Sequence, residues 1–375
     1  MRNRSIALIL CTTMFLLSGC GTEHEFAGRE SAQKEAAYEA EDEETGKAED
    51  EENEDTAVQE EAEVTSRDVF AMDTYMTLTA YGSHGEEAVT QGIRKIKALD
   101  QLLSTGDEQS EIYGLNQKKS GILSEDSGSL VERALELYEE TDGCFDIAIY
   151  PVMKVWGFPT QEYRVPDEDS LEEALQLADA SKILYDSETR EISFADSGME
   201  IDLGGIAKGY TSAAIMDIYR SCGVTSGLVN LGGNVQALGT KPDGSKWRIA
   251  IQSPDDENEY LGILEIADQA VITSGGYERY FEENGQSYHH IIDPATGYPA
   301  ENGLVSVTIV SSDGTLADGL STSLFIMGLE RAAEFWKAHQ EEFEVIMETE
   351  DEILYVSAGI ADSLYTDLDV VMIEG

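Results

Sequence analysis

The chain has 375 residues, with 75 acidic side chains against 24 basic ones and a formal net charge of −51. A field of that sign repels polyanions, which excludes a nucleic-acid surface and docking on anionic lipid headgroups. The four cysteines are too few for a disulfide framework, and none has zinc-site spacing.

The N-terminus reads Met1-Arg2-Asn3-Arg4, an apolar run from Ile6 to Leu17, then Ser18-Gly19-Cys20. A basic start, a short apolar core and small residues before a cut describe a secretory signal over 1–19, and the run is too short to span a bilayer comfortably as a permanent helix. The small pair directly before a cysteine is the pattern of a bacterial lipobox. It predicts that Cys20 becomes the lipidated first residue of a protein held on the extracytoplasmic face of the cell membrane. Cys11 leaves with the signal, and Cys144 and Cys222 remain, either paired or free. From 20 to 66 the chain is rich in Glu, Asp and Ala, with acidic blocks at Glu41–Glu44 and Glu49–Asp55. Too little apolar surface is present to offset ordering entropy, so a disordered tether is expected, with a helical stalk as the alternative.

Residues 67–375 are expected to fold. Val69 to Tyr81 alternates and predicts one strand, and Glu86 to Leu103 has apolar residues at helical spacing. Further helices are expected over Ser129–Thr141 and Ser170–Ala178, a hairpin over Lys182–Phe194, and a helix from Lys208 to Cys222. Strands follow at Gly227–Leu231, Trp247–Gln252, Leu261–Ile266, Ala270–Thr273, His289–Ile292 and Val305–Val310. Leu316 to Ala338 predicts one long helix, and strands near Phe343–Glu348, Ile353–Val356 and Leu368–Ile373 close the chain. Helices and strands mix without regular βα alternation, which favours an α+β fold of mixed sheets over a doubly wound one.

Three Gly-Gly turns end β-type runs, at Asp202–Gly205, Asn230–Asn234 and Thr273–Gly276. Paired glycines let backbone N–H groups approach an anion, and the first turn opens a helix whose N-terminus favours phosphate. One such turn is an ordinary tight turn; three close in sequence point to a phosphate-lined cleft, though none has dinucleotide or Walker-loop spacing. Asp318 and Thr322 are four apart on a helix and share a face, an oxygen pair suited to a hard cation. The competing reading is plain N-terminal capping. Tyr288-His289-His290 sends two imidazoles to opposite strand faces, so one can serve as a base or phosphate contact. The aromatic loops around Cys144-Phe145-Asp146 and Trp156-Gly157-Phe158 offer flat apolar walls, or are simply core.

Together these segments resemble the ApbE family of FAD:protein FMN transferases. The resemblance rests on AMDT (71–74), LSTGDEQSEIYGLN (103–116), GCFDIAIYPVMKVWGF (143–158), IDLGGIAKGY (201–210), LVNLGGN (228–234), TSGGYERYF (273–281), HIIDPATGYP (290–299) and ADGLSTSLFIMG (317–328). It implies a T-fold-related α+β architecture, with Met72, Cys144, Phe145, Asp146, Asp202, Lys208 and Ile292 around FAD. It also implies Mg²⁺ on the Gly205 carbonyl, Asp318 and Thr322, with Ser321 nearby, and His290 in catalysis. The implied reaction moves FMN from FAD to a Ser or Thr hydroxyl of an exported or membrane redox protein, releasing AMP; FAD hydrolysis and non-catalytic flavin binding are the alternatives. Two departures stand out: Asp73 where many members have Gly, and Gly106 where an aromatic often follows Ser-Thr.

Overall fold

The computed structural model describes residues 63–256 and 258–375. The expected signal, Cys20 and nearly all of the acidic segment lie outside the described residues. The strands are β1 Val64–Ala71, β2 Thr74–Tyr81, β3 Ser120–Ile122, β4 Ile183–Asp186, β5 Glu191–Phe194, β6 Gly227–Leu231, β7 Asn234–Leu238, β8 Trp247–Gln252, β9 Tyr260–Ile266, β10 Ala270–Gly275, β11 Tyr280–Glu283, β12 Gln286–His289, β13 Leu304–Ser311, β14 Glu344–Thr349, β15 Ile353–Ser357, β16 Leu364–Tyr365 and β17 Asp369–Ile373. The helices are α1 Gly85–Leu103, α2 Glu111–Lys118, α3 Glu125–Glu140, α4 Tyr150–Trp156, α5 Glu168–Leu175, α6 Gly204–Ser221, α7 Gly314–Met327 and α8 Leu329–His339.

Nine strands form the main sheet in the order β1-β2-β6-β7-β10-β13-β14-β15-β17, antiparallel but for the parallel β15–β17 pair. Its inner strands are buried on both faces. Ala270 and Ile272 of β10 join Ile309 of β13 and Val345 of β14 beneath α7, while Val271, Val310 and Ile346 turn to the other side and pack on the small sheet β16-β9-β8. At roughly 1.5–3 kcal/mol for each large aliphatic side chain fully removed from water, this double-sided core is the main driving force of the fold. α1, α6 and the first strands build a neighbouring apolar cluster around Leu78, Ile96, Ile215 and Tyr219.

The α+β expectation holds, with local corrections. The single strand expected at Val69–Tyr81 is a hairpin, β1–β2, whose turn is Met72-Asp73 at φ 49° and 58°. β1 starts at Val64, so regular structure begins ahead of the expected boundary at 67. The long helix is two, because Gly328 at φ 76° ends α7 and receives no helical continuation. The strand expected at His289–Ile292 ends at His289, leaving only an isolated bridge from Ile292 to Pro299. Cys144 and Cys222 are both free.

Candidate active site

α6 and α7 meet almost backbone to backbone. A Cβ on Gly209 would lie 2.2 Å from the Gly314 carbonyl oxygen and 2.5 Å from Asp318 Cβ, so only glycine permits the approach. That crossing brings the second turn of α6 over the first two turns of α7. The Gly209 N–H, the donor four residues after the Gly205 carbonyl, gives its proton to Asp318 Oδ2 at 2.7 Å. Asn234 Nδ2 donates to Asp318 Oδ1 at 2.8 Å.

Capping does not account for Asp318. The cap of α7 is Asp313, which accepts from the Thr315 and Leu316 amides at 2.8 and 3.1 Å. Asp318 lies further in, 6 % exposed, and burial pushes its carboxyl above the usual range against the opposing charge of Lys208 and hydrogen bonds from the Gly209 amide, Asn234 and the Lys208 amide. Ser321 Oγ donates to the Asp318 carbonyl at 2.9 Å. Ser274 Oγ stands 2.8 Å from Ser321 Oγ and 3.3 Å from Thr322 Oγ1. The result is one carboxylate among neutral oxygens, a donor set for a hard cation. Among the described residues no three His, Cys, Asp or Glu side chains gather in a metal-binding group.

The α6 entrance is held by Asp202, whose Oδ1 accepts from the Gly204 N–H at 2.7 Å and whose own N–H reaches the Ile147 carbonyl at 2.8 Å. Gly204 and Gly205 are exposed at this entrance, and the Phe145 ring edge would touch a Cβ on Gly205 at 3.3 Å. Lys208, one turn on, acts electrostatically on Asp318, Glu278 and His290 together. Met72 adjoins the same helix: its N–H donates to Asp100 Oδ1 at 2.9 Å, and Thr211 Oγ1 approaches its sulfur at 3.9 Å.

The two adjacent imidazoles separate into different roles. His289 is a latch, its Nε2 3.2 Å from the Ala300 carbonyl and its Nδ1 accepting from the Ile291 N–H, with its ring edge-on to Phe325. His290 Nδ1 is 3.2 Å from the Arg279 carbonyl, which can only accept. The proton therefore sits on Nδ1, and Nε2 keeps a free lone pair. Burial first, then the Arg279 charge, pushes this imidazole down to about 3, so it is neutral at physiological pH, with Nε2 unprotonated.

Three expected flavin contacts have side chains engaged within the protein. Asp146 spends both oxygens on backbone, accepting from Ala148 at 2.7 Å and Ala180 at 3.2 Å, and burial raises it to about 6. Cys144 Sγ faces Arg331 at 3.7 Å, and burial raises its thiol. Ile292 is buried in the cluster of Trp156, Phe158 and Leu171. That cluster braces the HIIDP loop, since Trp156 Nε1 donates to the Gly297 carbonyl at 2.8 Å. Sequence reasoning missed Asn234 and Ser274 as individual residues. The turn Gly232-Gly233, read as a possible phosphate contact, is the two-residue connection of the β6–β7 hairpin at φ 64° and 94°. Its position at the start of β7 carries Asn234 to Asp318, and the Asn after the glycine pair was the available signal.

The family model described as the ApbE family matches residues 72–347. A FAD:protein FMN transferase of Klebsiella pneumoniae is 33% identical over 280 residues, covering 74% of this chain and 86% of that protein. One from Treponema pallidum is 30% identical over 321 residues, covering 79% and 88%. Among solved structures, the ApbE protein of Thermotoga maritima superposes with a TM-score of 0.74 at 30% identity over 79% of this chain and 98% of that one. The flavin transferase ApbE of Vibrio cholerae gives 0.70 at 28% over 82% and 98%.

Proposed function

The chain belongs to the ApbE family, and from that premise we propose that it transfers FMN from FAD to a Ser or Thr hydroxyl of an acceptor protein, with Mg²⁺ and release of AMP. The observation that carries this reading is the α6–α7 crossing, which sets a buried carboxylate, neutral oxygens and the Gly204–Lys208 helix entrance side by side.

The acceptor hydroxyl attacks the FMN-side phosphorus of FAD, the bond to the AMP phosphate breaks, and FMN stays joined through a phosphodiester. Such chemistry depends on positioning and on offsetting charge at the phosphoryl oxygens. His290 Nε2 is the free base that takes the hydroxyl proton, its tautomer fixed by the Arg279 carbonyl. Lys208 and the amides of the α6 entrance supply positive potential for the pyrophosphate in an otherwise acidic protein. Asp318, Thr322 and the Gly205 carbonyl fit a hard cation: the Asp318 carboxylate accepts from the Gly209 and Lys208 amides and from Asn234, and with about four lone-pair sites it keeps capacity for a metal. When bound there, Mg²⁺ would neutralise and polarise the pyrophosphate. Phe145 supplies an apolar wall beside Gly205.

The N-terminal pattern supports a lipid anchor on Cys20 and an extracytoplasmic location, which suits an exported or membrane-bound redox acceptor. The deciding experiment incubates the chain with FAD, Mg²⁺ and an FMN-accepting domain, then reads in-gel flavin fluorescence. Fluorescence on the acceptor is the expected result. Free FMN with an unlabelled acceptor would make the chain a hydrolase, and unchanged FAD a binder.

A further inference from the structure

The hydroxyls around Asp318 can pass their protons in one order only. Ser321 Oγ lies 2.9 Å from the Asp318 carbonyl, which only accepts, so its single proton is committed there. Ser274 must then be the donor across the 2.8 Å contact with Ser321. With that proton spent, Ser274 can only accept in its 3.3 Å contact with Thr322. The chain runs from Thr322 to Ser274 to Ser321 to the Asp318 carbonyl.

This order decides what Thr322 offers. A helical Thr commonly turns its proton back to the carbonyl four residues earlier, here that of Asp318, but the two lone pairs of that carbonyl are already engaged by Ser321 Oγ and by the helical N–H of Thr322 within α7. We propose that Ser274 is a positioning residue for cation binding: it draws the Thr322 proton toward β10 and leaves the Thr322 lone pairs unspent for the metal. The inference rests on the reading of Asp318 and Thr322 as cation ligands. Ser274 is well placed for the task because it lies within the β10–β13 ladder, opposite Val307, so its hydroxyl is carried by the sheet rather than by a loop.

The test uses the full-length chain and Mn²⁺ alone as a paramagnetic probe, counting free ion by electron spin resonance. The acidic N-terminal segment will bind Mn²⁺ loosely, so the signal of the site is the difference between wild type and Asp318→Ala. If the two bind alike, the cation-site reading itself fails and this inference falls with it. Where they differ, Ser274→Ala and Ser274→Cys should each raise the site's Kd roughly tenfold or more, as removal of a partner of a metal ligand commonly does. Ser274→Thr, which keeps the hydroxyl, should bind within about threefold of wild type. The two loss variants guard against one failing to fold, and circular dichroism checks both. Wild-type affinity in the folded loss variants overturns the proposal, as does equal weakening by Ser274→Thr, which would make side-chain shape rather than the hydroxyl responsible.

Discussion

His290 presents a base whose proton inventory is set by one carbonyl. Because Nδ1 is tied to Arg279 and the imidazole is pushed down to about 3, Nε2 is available well below the ordinary histidine range. On the acid side, kcat/KM for FMN transfer should therefore stay flat from pH 8 to about pH 5 and fall only below that. A limb centred near 6.5 would show an ordinary exposed imidazole. The sign for stability is opposite in use: the unfolded chain takes up the histidine proton below about 6.5 while the folded one does not, so this residue favours unfolding progressively as pH drops. His290→Asn should keep FAD affinity and slow transfer about 10²-fold or more; equal losses of affinity and rate would make it a binding residue instead. For Asp318→Ala, transfer should be abolished and the Mg²⁺ dependence of FAD affinity lost. Thr322→Ala removes a neutral oxygen and should give a partial loss that added Mg²⁺ offsets by mass action. Transfer by Asp318→Ala at the wild-type rate with an unchanged Mg²⁺ titration would end the cation reading.

At the level of elements, the site depends on how closely two helices approach. Gly209→Ala places a methyl against the Gly314 carbonyl, which is backbone and cannot rotate away. Spreading α6 from α7 should cost about 1–3 kcal/mol or more, read as a lower urea midpoint, and should loosen Asp318 from the Gly209 N–H at the same time. An alanine variant with wild-type stability and Mg²⁺ affinity would show that the crossing tolerates separation. This contact was invisible in the sequence, because GIAKGY reads as an ordinary amphipathic helix start and its partner Gly314 lies more than a hundred residues on. What was legible was local: strands with strong β-formers between turn residues, such as Gly227–Leu231 and Trp247–Gln252, have the bounds expected. β7 escaped because it has only five residues, starts directly after the Gly232-Gly233 turn and carries two polar residues, Asn234 and Gln236, that are buried all the same. The Met72-Asp73 turn escaped because neither residue is the Gly or Asn that announces positive φ, although Asp tolerates it better than most. The same backbone accounts for the glycine preference that resemblance attaches to position 73. In the site, the spacing of Asp318 and Thr322 was readable, whereas the partners that hold them, Asn234 and Ser274, arrive from strands remote in sequence.

Across the whole molecule, chemistry and attachment separate cleanly along the chain. The family match begins at Met72 and ends at Met347, and every group proposed for FMN transfer lies inside it. No helix among the described residues is long and apolar enough to cross a membrane; on the proposed reading, membrane attachment rests on Cys20. The net charge of −51 argues in the same direction, because anionic lipid would repel rather than hold the protein once the acyl group is gone. Cys20→Ser should accordingly move the protein from the membrane pellet to the soluble fraction, while the transfer rate to a soluble acceptor domain stays at the wild-type value. Deleting 21–60 should likewise leave that rate intact, because a tether sets reach and local concentration rather than the geometry of reacting atoms. The deletion should lower labelling only when the acceptor is itself fixed in the membrane, where reach matters. Cys20→Ser protein that stays in the pellet through a high-salt wash would refute the anchor, and a large loss of rate on a soluble acceptor after the deletion would place the acidic segment within the active site.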